Sequence, residues 1–504
     1  MLRARFSEAK GRVTATSSFP CMVRKVTRGS GRRRSFGARA LIQPRAPRQG
    51  PQGLLGCAKS YAPSLLAPGR GSASPMHTMR SALLALSAAA LLGCATPAIP
   101  NAQAPVAVAT ASPQTLRARC AEGDGPSCTE LGTRIERGDL VDRETAASFY
   151  EKGCDHGSAV ACNNLGWLFH NGKGVPVDLR RAAHFYDIGC DLRDGRACTN
   201  MGNLYEHGLG VLADTFQAAQ YYIYACKLGF AVGCRNEGLI RETNYGRIGE
   251  DSASARDVYE RGCNLGDTGS CVNLGNLLRQ GRGGPVDFNR AREFFTRACQ
   301  RGDLLGCNNL GFLYDKGLGV AQDMCKAVAA YERACKGELP LGCTNLGHAY
   351  EKGACLPKDT RRALALHTRA CDQDEPLGCN NFAVYLERGE EMPQDVSRAL
   401  ELYRFACDKK EPLACHNLAR IYEQGDLFPA PQDLGLAAKY HRIACDRAHG
   451  KSCAALARMH HESLGGLRPD PAWERDLRAR ACQQGYLEAC SLTGTTLPEN
   501  PTPP

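Results

Sequence analysis

A chain of 504 residues with 43% apolar composition can build several compact cores, and past residue 94 it has no run long and apolar enough to cross a bilayer. Twenty-seven cysteines argue against a reducing compartment, which has little use for so many thiols. The formal net charge of +11 suggests a nucleic-acid binder, but its distribution excludes that footprint. Residues 1–94 hold sixteen Lys/Arg and one acid, Glu8, leaving 47 basic against 51 acidic side chains in the rest.

Residues 1–75 are rich in Arg, Gly, Ser and Pro and show no helical or strand period. Such a stretch reads either as an organelle transit peptide or as sequence upstream of the true start at Met76 or Met79. The sequence from Met76 onward favours the second reading. Met79-Arg80 supplies a short basic region, and Ser81 to Leu92 is an uncharged Ala/Leu run of signal-peptide length, so 76–94 reads as a signal peptide. Its end, Leu91-Leu92-Gly93-Cys94-Ala95, resembles a bacterial lipobox. The resemblance implies a diacylglycerol on the Cys94 sulfur, and Ala95 in place of Asp resembles lipoproteins sent to the outer membrane, facing the periplasm or the cell surface. Residues 95–112 are uncharged and rich in Ala and Pro, as in a tether, and 497–504 reads as a disordered tail.

From residue 113 to 496 the chain repeats itself. Cysteines recur in pairs with seven residues between them: Cys120 and Cys128, Cys154 and Cys162, Cys190 and Cys198, Cys226 and Cys234, Cys263 and Cys271, Cys299 and Cys307, Cys335 and Cys343, Cys371 and Cys379, Cys407 and Cys415, Cys445 and Cys453, Cys482 and Cys490. The second cysteine of each pair opens a helix A. Four residues on stands a small residue, Gly in eight units (Gly132 to Gly347, and Gly494) and Ala383, Ala419 and Ala457 in three. Glycine inside a helix costs up to about 1 kcal/mol relative to alanine, so its recurrence implies a neighbouring helix pressed against that spot. Helix A ends at Gly-x-Gly-Val, as at Gly172 to Val175, where glycine can take the left-handed capping conformation. Helix B starts at an Asp able to cap free amides: Asp178, Asp214, Asp287, Asp323, Asp359, Asp395 and Asp433. Positions four, eight and twelve beyond each Asp share one helix face, and they read small or apolar, aromatic or His, and Cys.

This unit resembles the Sel1-like repeat, a relative of the tetratricopeptide repeat, and the paired cysteines resemble the family's secreted, cysteine-rich bacterial branch. The resemblance implies an all-α, right-handed α/α solenoid of about ten two-helix repeats. Departures are Glu237 in place of a Leu, a missing Gly-Val loop between Cys226 and Cys263 that suggests an irregular unit around 244–254, and two extra residues between Cys407 and Cys445. Each cysteine pair would bridge helix B of one unit to helix A of the next. Disulfides are favoured because the spacing recurs eleven times. Structural zinc uses shorter spacings and a second nearby pair, and redox catalysis uses Cys-x-x-Cys. Cys325 and Cys355 lie in adjoining units, and stacking would bring them together as a twelfth bridge.

No cofactor, metal site or nucleic-acid partner is expected. On helix A, positions +1, +5 and +8 after the second cysteine are expected to face one way and to vary between units. They are Asn163, Trp167 and His170; Thr199, Asn203 and Glu206; Asn308, Phe312 and Asp315; Thr344, His348 and Glu351. Such a stripe suits a peptide-binding wall, though a plain solvated face would also carry it. Position +2 is Asn in eight units, Asn164 through Asn417, suggesting a buried amide bonded to adjacent backbone. The reading is a non-enzymatic scaffold, lipid-anchored in the bacterial envelope, that binds an envelope protein or peptide. The alternative is a β-lactam or cell-wall-peptide binder or β-lactamase-like hydrolase, which the cysteine-rich branch implies. Against it, Ser-x-x-Lys occurs only at Ser7 to Lys10, and His460-His461-Glu462 places neighbours about 100° apart on a helix. A transit-peptide reading would instead resemble the oxidised members of the family in the mitochondrial intermembrane space, which act in cytochrome oxidase assembly.

Overall fold

The structure, a computed structural model, describes residues 106–142, 144–243, 251–425 and 431–493. The leader, signal segment, Cys94, residues 95–105 and the tail 497–504 lie outside the described residues, as does Gly494. Every element among the described residues is helical. Ten helix pairs form the array. The helices A are Gly125–Arg137, Ala159–Asn171, Gly195–His207, Ala231–Thr243, Thr268–Gln280, Leu304–Lys316, Pro340–Lys352, Pro376–Arg388, Pro412–Gln424 and Gly450–His461. Their partners B are Ala146–Asp155, Leu179–Asp191, Thr215–Lys227, Ser252–Asn264, Phe288–Gln300, Met324–Lys336, Thr360–Cys371, Val396–Asp408, Leu434–Asp446 and Pro471–Gln483. Pro113–Ala121 precedes repeat 1 as a lone B-type helix, and Leu487–Thr493 follows repeat 10. Part of the expected tether is docked: Arg134 donates to the carbonyls of Ala109, at the end of the turn Val106–Ala109, and of Ala111, at 2.7 and 3.0 Å.

Local chemistry sets the helix ends. Gly172, at φ +69°, closes helix A of repeat 2, and all seven Asp residues read as caps accept amide hydrogen bonds in the first turn of helix B. Asp251 and Asp470 cap in the same way. In repeats 2 to 9 the loop is closed by the Asp amide donating to a carbonyl near the end of helix A, nine residues back in the regular repeats, as from Asp178 to Phe169. The two unusual loops keep this bond and lengthen the span. Asp251 reaches Arg241, ten back, and Asp433 reaches Tyr422, eleven back. The inserted residues are thus absorbed in the loops, while 244–250 and 426–430 themselves lie outside the described residues. Glu237, buried among apolar neighbours, is neutralised by Arg241 one turn on at 2.8 Å.

Within a repeat, the small residue of helix A meets the aromatic ring four residues before the cysteine of helix B. A Cβ on Gly166 would stand 2.7 Å from the Tyr186 ring, and Gly132, Gly202, Gly238, Gly275 and Gly311 face rings in the same way. Five of these rings, Tyr150, Tyr186, Tyr222, Tyr259 and Phe295, are among the largest fully buried side chains.

Between repeats, all eleven regularly spaced cysteine pairs form disulfides, with Cα atoms 4.4 to 4.8 Å apart. Cys120 bonds to Cys128, Cys154 to Cys162, Cys190 to Cys198, Cys226 to Cys234, Cys263 to Cys271 and Cys299 to Cys307. In the second half Cys335 bonds to Cys343, Cys371 to Cys379, Cys407 to Cys415, Cys445 to Cys453 and Cys482 to Cys490. Each joins the last turn of one helix B to the first turn of the helix that succeeds it. Three residues after the first cysteine, φ is positive in every turn, whether that residue is glycine or not (Gly157, Arg193, Glu338, Lys410).

A second inter-repeat contact lies at the other end of the helices. The loop after helix A presses on the start of the preceding helix B. A Cβ on Gly210 would meet the Leu179 carbonyl, and one on Gly319 would meet Phe288. At the equivalent place in repeat 7 stands Cys355, bonded to Cys325, and in repeat 8 Glu391, which accepts from Thr360 and Arg361. One contact is therefore made three ways: by close approach, by a disulfide and by polar bonds.

Candidate functional site

From repeat 1 to repeat 9, helix A touches helix A of the next repeat, whereas neighbouring helices B meet through long polar side chains such as Arg181–Glu151 and Arg290–Glu260. Helix A therefore lines the inner side of the array. The predicted stripe divides there. Asn163, Thr199, Asn308 and Thr344 are buried rather than presented, because the next helix A covers the first turn that carries them. Thr344 donates to Glu375, the cap of that next helix, at 2.8 Å. Asp315 is buried as well, beside Tyr331. Trp167, His170, Asn203, Glu206, Phe312 and Glu351 are partly exposed, and His348 is exposed.

The +2 asparagines are half-buried and bond to side chains rather than to loop backbone. Asn345 donates to Asn308 (2.8 Å), Asn308 to Asn309 (3.5 Å) and Asn309 to Asn276 (3.3 Å), a chain of amides across three repeats. Asn200 with Asn163, and Asn417 with Asn380, repeat the first step at 3.0 and 2.9 Å. The buried +1 asparagine is thus the acceptor that its neighbour's +2 amide requires.

Position +8 holds an internal rule that reading each helix separately missed. Where helix B offers Tyr or His four residues before its cysteine, helix A usually offers an acid. Tyr150 donates to Glu136 (2.9 Å), Tyr222 to Glu206 (2.6 Å), Tyr259 to Glu242 (3.0 Å) and Tyr403 to Glu387 (2.7 Å). His367 meets Glu351 at 3.2 Å and His441 meets Glu423 at 3.1 Å. Repeat 5 has Phe295, with no hydroxyl, and at +8 Arg279 in place of an acid, set 5.4 Å from the Phe312 ring centroid. Burial above all drives the phenols up, Tyr150 to about 12, so they stay protonated donors. Burial works to raise the Glu351 carboxyl, but hydrogen bonds from His348, His367 and Tyr385 outweigh it and hold the group well below the usual carboxylate range.

Two grooves open between successive helices A. One, of about 400 Å³, lies between Thr133, Glu136, Tyr150, Asn164 and Trp167, with the Lys173 ammonium 4.7 Å from the Trp167 ring centroid. The other, of about 350 Å³, lies between His348, Glu351, Asn381, Val384 and Arg388. Their linings differ in shape and charge while the frame beneath them is the same.

Near the C-terminal end three imidazoles surround the hydroxyl of Ser452. His416 and His449 each place Nδ1 at 2.9 Å from its Oγ, and His441 places Nδ1 at 3.3 Å. Ser452, His441 and Glu423 are thus the residue types of a hydrolytic triad, but Ser452 is wholly buried and no substrate reaches it. His460 turns inward to the Arg468 carbonyl while His461 lies outside against Glu474, so the adjacent histidines do not converge. Among the described residues no cluster of His, Cys, Asp or Glu is arranged to hold a metal ion.

Comparison with known proteins agrees with this geometry. The Sel1 repeat matches residues 125–158, 159–194, 195–230, 269–303, 304–338, 340–375, 376–410, 412–449 and 450–472, leaving out the irregular pair that begins at Ala231. No curated protein matches the chain. Among solved structures, c5321 of uropathogenic Escherichia coli, a protective antigen displaying an SLR fold, is 22% identical with a TM-score of 0.56, over 76% of this chain and 82% of its own. A Sel1 repeat protein from Oxalobacter formigenes is 22% identical with a TM-score of 0.45, over 49% and 96%. Helicobacter pylori cysteine rich protein B is 27% identical with a TM-score of 0.21, over 25% of this chain and 90% of its own. Matched over well more than half its length and built from the repeated helix pairs described above, the chain belongs to the Sel1 repeat family.

Proposed function

We propose that the protein is a non-enzymatic scaffold that holds a protein or peptide segment along its inner wall, outside the cytoplasm. The observation that carries this reading is the contrast on helix A. Positions +2 and +4 keep one residue type nearly throughout, while the partly exposed positions change from repeat to repeat (Trp167, Asn203, Phe312, His348). A rigid frame with a variable lining suits recognition of an extended partner. Twelve disulfides suit an oxidising compartment. We place the protein in the bacterial envelope, anchored through lipid on Cys94, on the strength of the lipobox pattern. The buried Ser452 offers the hydrolytic alternative no reachable nucleophile.

Photo-crosslinking residues placed at Trp167 and Asn203, with Tyr224 on helix B as the outer control, test the wall. Adducts to one protein from the inner positions alone support the reading; equal adducts from Tyr224, or none at all, overturn it. Membrane fractionation with Cys94→Ala tests the anchor separately, since an unanchored scaffold would still crosslink.

A further inference from the structure

We propose that the junction between repeats 9 and 10 is an acid-sensitive joint, in which the imidazoles around Ser452 hold repeat 10 on the array while neutral and release it when protonated. The three histidines come from three successive structural pieces. His416 lies in the first turn of helix A of repeat 9, His441 in its helix B, and His449 caps helix A of repeat 10. Their meeting point is therefore the seam between the two repeats. The His416 ring centroid is 4.5 Å from that of His449 and 5.6 Å from that of His441.

One assignment of protons fits the shorter contacts. His441 donates from Nε2 to Glu423, and the Ser452 hydroxyl donates its one proton to His449 Nδ1 at 2.9 Å, leaving His441 Nδ1 unprotonated at 3.3 Å. Ser452 Oγ accepts from His416 Nδ1, and His449 Nδ1 accepts the Ser452 amide at 3.3 Å, capping the helix. All three rings are then neutral. Protonating His449 turns that acceptor into a donor and uncaps helix A of repeat 10, and protonating His416 as well sets two cations side by side.

The charged surroundings oppose protonation. Helix A of repeat 9 contributes Arg420 and Glu423, the following turn Arg447, and helix A of repeat 10 Lys451 and Arg458. The carboxylates are engaged: Glu423 by His441 and Arg458, and Glu387 of repeat 8 by Arg420 and Tyr403. Burial, then the repulsion that a charged ring would meet from the other imidazoles, and after these Arg420 and Lys451, push His416 down to about 3; burial, His441 and Lys451 push His449 down to about 4. Because these values lie below the unfolded value of about 6.5, the stabilisation is complete above pH 6.5 and is lost as pH falls toward 4. Cys445–Cys453 spans the same seam, so the joint opens about a cross-linked turn.

Hydrogen exchange at pH 7 and pH 5, corrected for intrinsic rates, reads the joint directly. Residues 450–483 are expected to open roughly twenty-five-fold more at pH 5 for each histidine released, up to about five-hundred-fold for both. Residues 125–371 should be unchanged. His416→Gln with His449→Asn should abolish the difference, and His449→Asn alone, which keeps a capping oxygen, should reduce it. Acceleration spread over the whole array, no acceleration, or an undiminished response in the variants would each overturn the proposal. Protection of 450–483 by zinc at neutral pH, with no response to acid, would overturn it too, by making the cluster a metal centre.

Discussion

Tyr222 and Phe295 occupy the same place in repeats 3 and 5, yet one ends in a hydroxyl on Glu206 and the other has no hydroxyl and Arg279 at the matching +8 position. Tyr222→Phe should cost about 1–2 kcal/mol, since it strands a half-buried carboxylate. Phe295→Tyr should gain nothing alone and should stabilise only with Arg279→Glu, which rebuilds the clamp; urea midpoints with the bridges intact measure both. Gly166→Ala drives a methyl into Tyr186 and should cost about 1–3 kcal/mol, less when combined with Tyr186→Leu, as a double-mutant cycle would show. The small residue at +4 was legible in the sequence because it recurs at a fixed step on one helix. The Tyr–Glu clamp was not, because its halves lie on different helices, each of which looks ordinary alone. The burial of Asn163 and Thr344 was hidden for a related reason: it depends on how the next repeat lies across them, which no spacing within a repeat encodes.

At the scale of the element, the two ends of each helix pair are joined differently. The turn from helix B to helix A is shaped by a positive φ and a disulfide, and there the spacing matters more than the residue, since Glu338 and Lys410 do the work of glycine. Gly157 shows the cost of that shape, because a Cβ there meets nothing. Gly157→Ala should therefore destabilise by about 1 kcal/mol through backbone strain alone. At the opposite end Cys325–Cys355 is the bridge whose cysteines are both exposed, whereas in the regular pairs at least one cysteine is buried. A low concentration of thiol without denaturant should open it first, and alkylation followed by peptide mapping should find Cys325 and Cys355 labelled before any other pair. The sequence exposed the caps and the regular loops, since Asp and Gly act locally. It left the Asp251 cap unseen, because the sequence before it lacks the Gly-x-Gly-Val pattern and only the folded contact from Asp251 to Arg241 restores the regularity.

Over the whole molecule, each repeat contacts chiefly its neighbours, so stability is a sum of local terms and not one cooperative core. Every regular bridge closes a loop of nine residues, limiting the unfolded chain by about 2–3 kcal/mol, and Cys325–Cys355, closing thirty-one, by nearly 4. The disulfide pattern also bears on how the protein is made. A chain whose first free thiol is Cys120, delivered from its N-terminus into an oxidising compartment that joined each cysteine to the next, would make every bridge correctly as far as Cys299–Cys307. Cys325 breaks the order, because its partner emerges only after Cys335 and Cys343, which must pair inside the larger ring. Oxidation without an isomerase should therefore scramble these four cysteines and spare the rest, and Cys325→Ser with Cys355→Ser should oxidise correctly unaided. A single nested bridge makes an otherwise self-assembling chain dependent on a disulfide-shuffling catalyst.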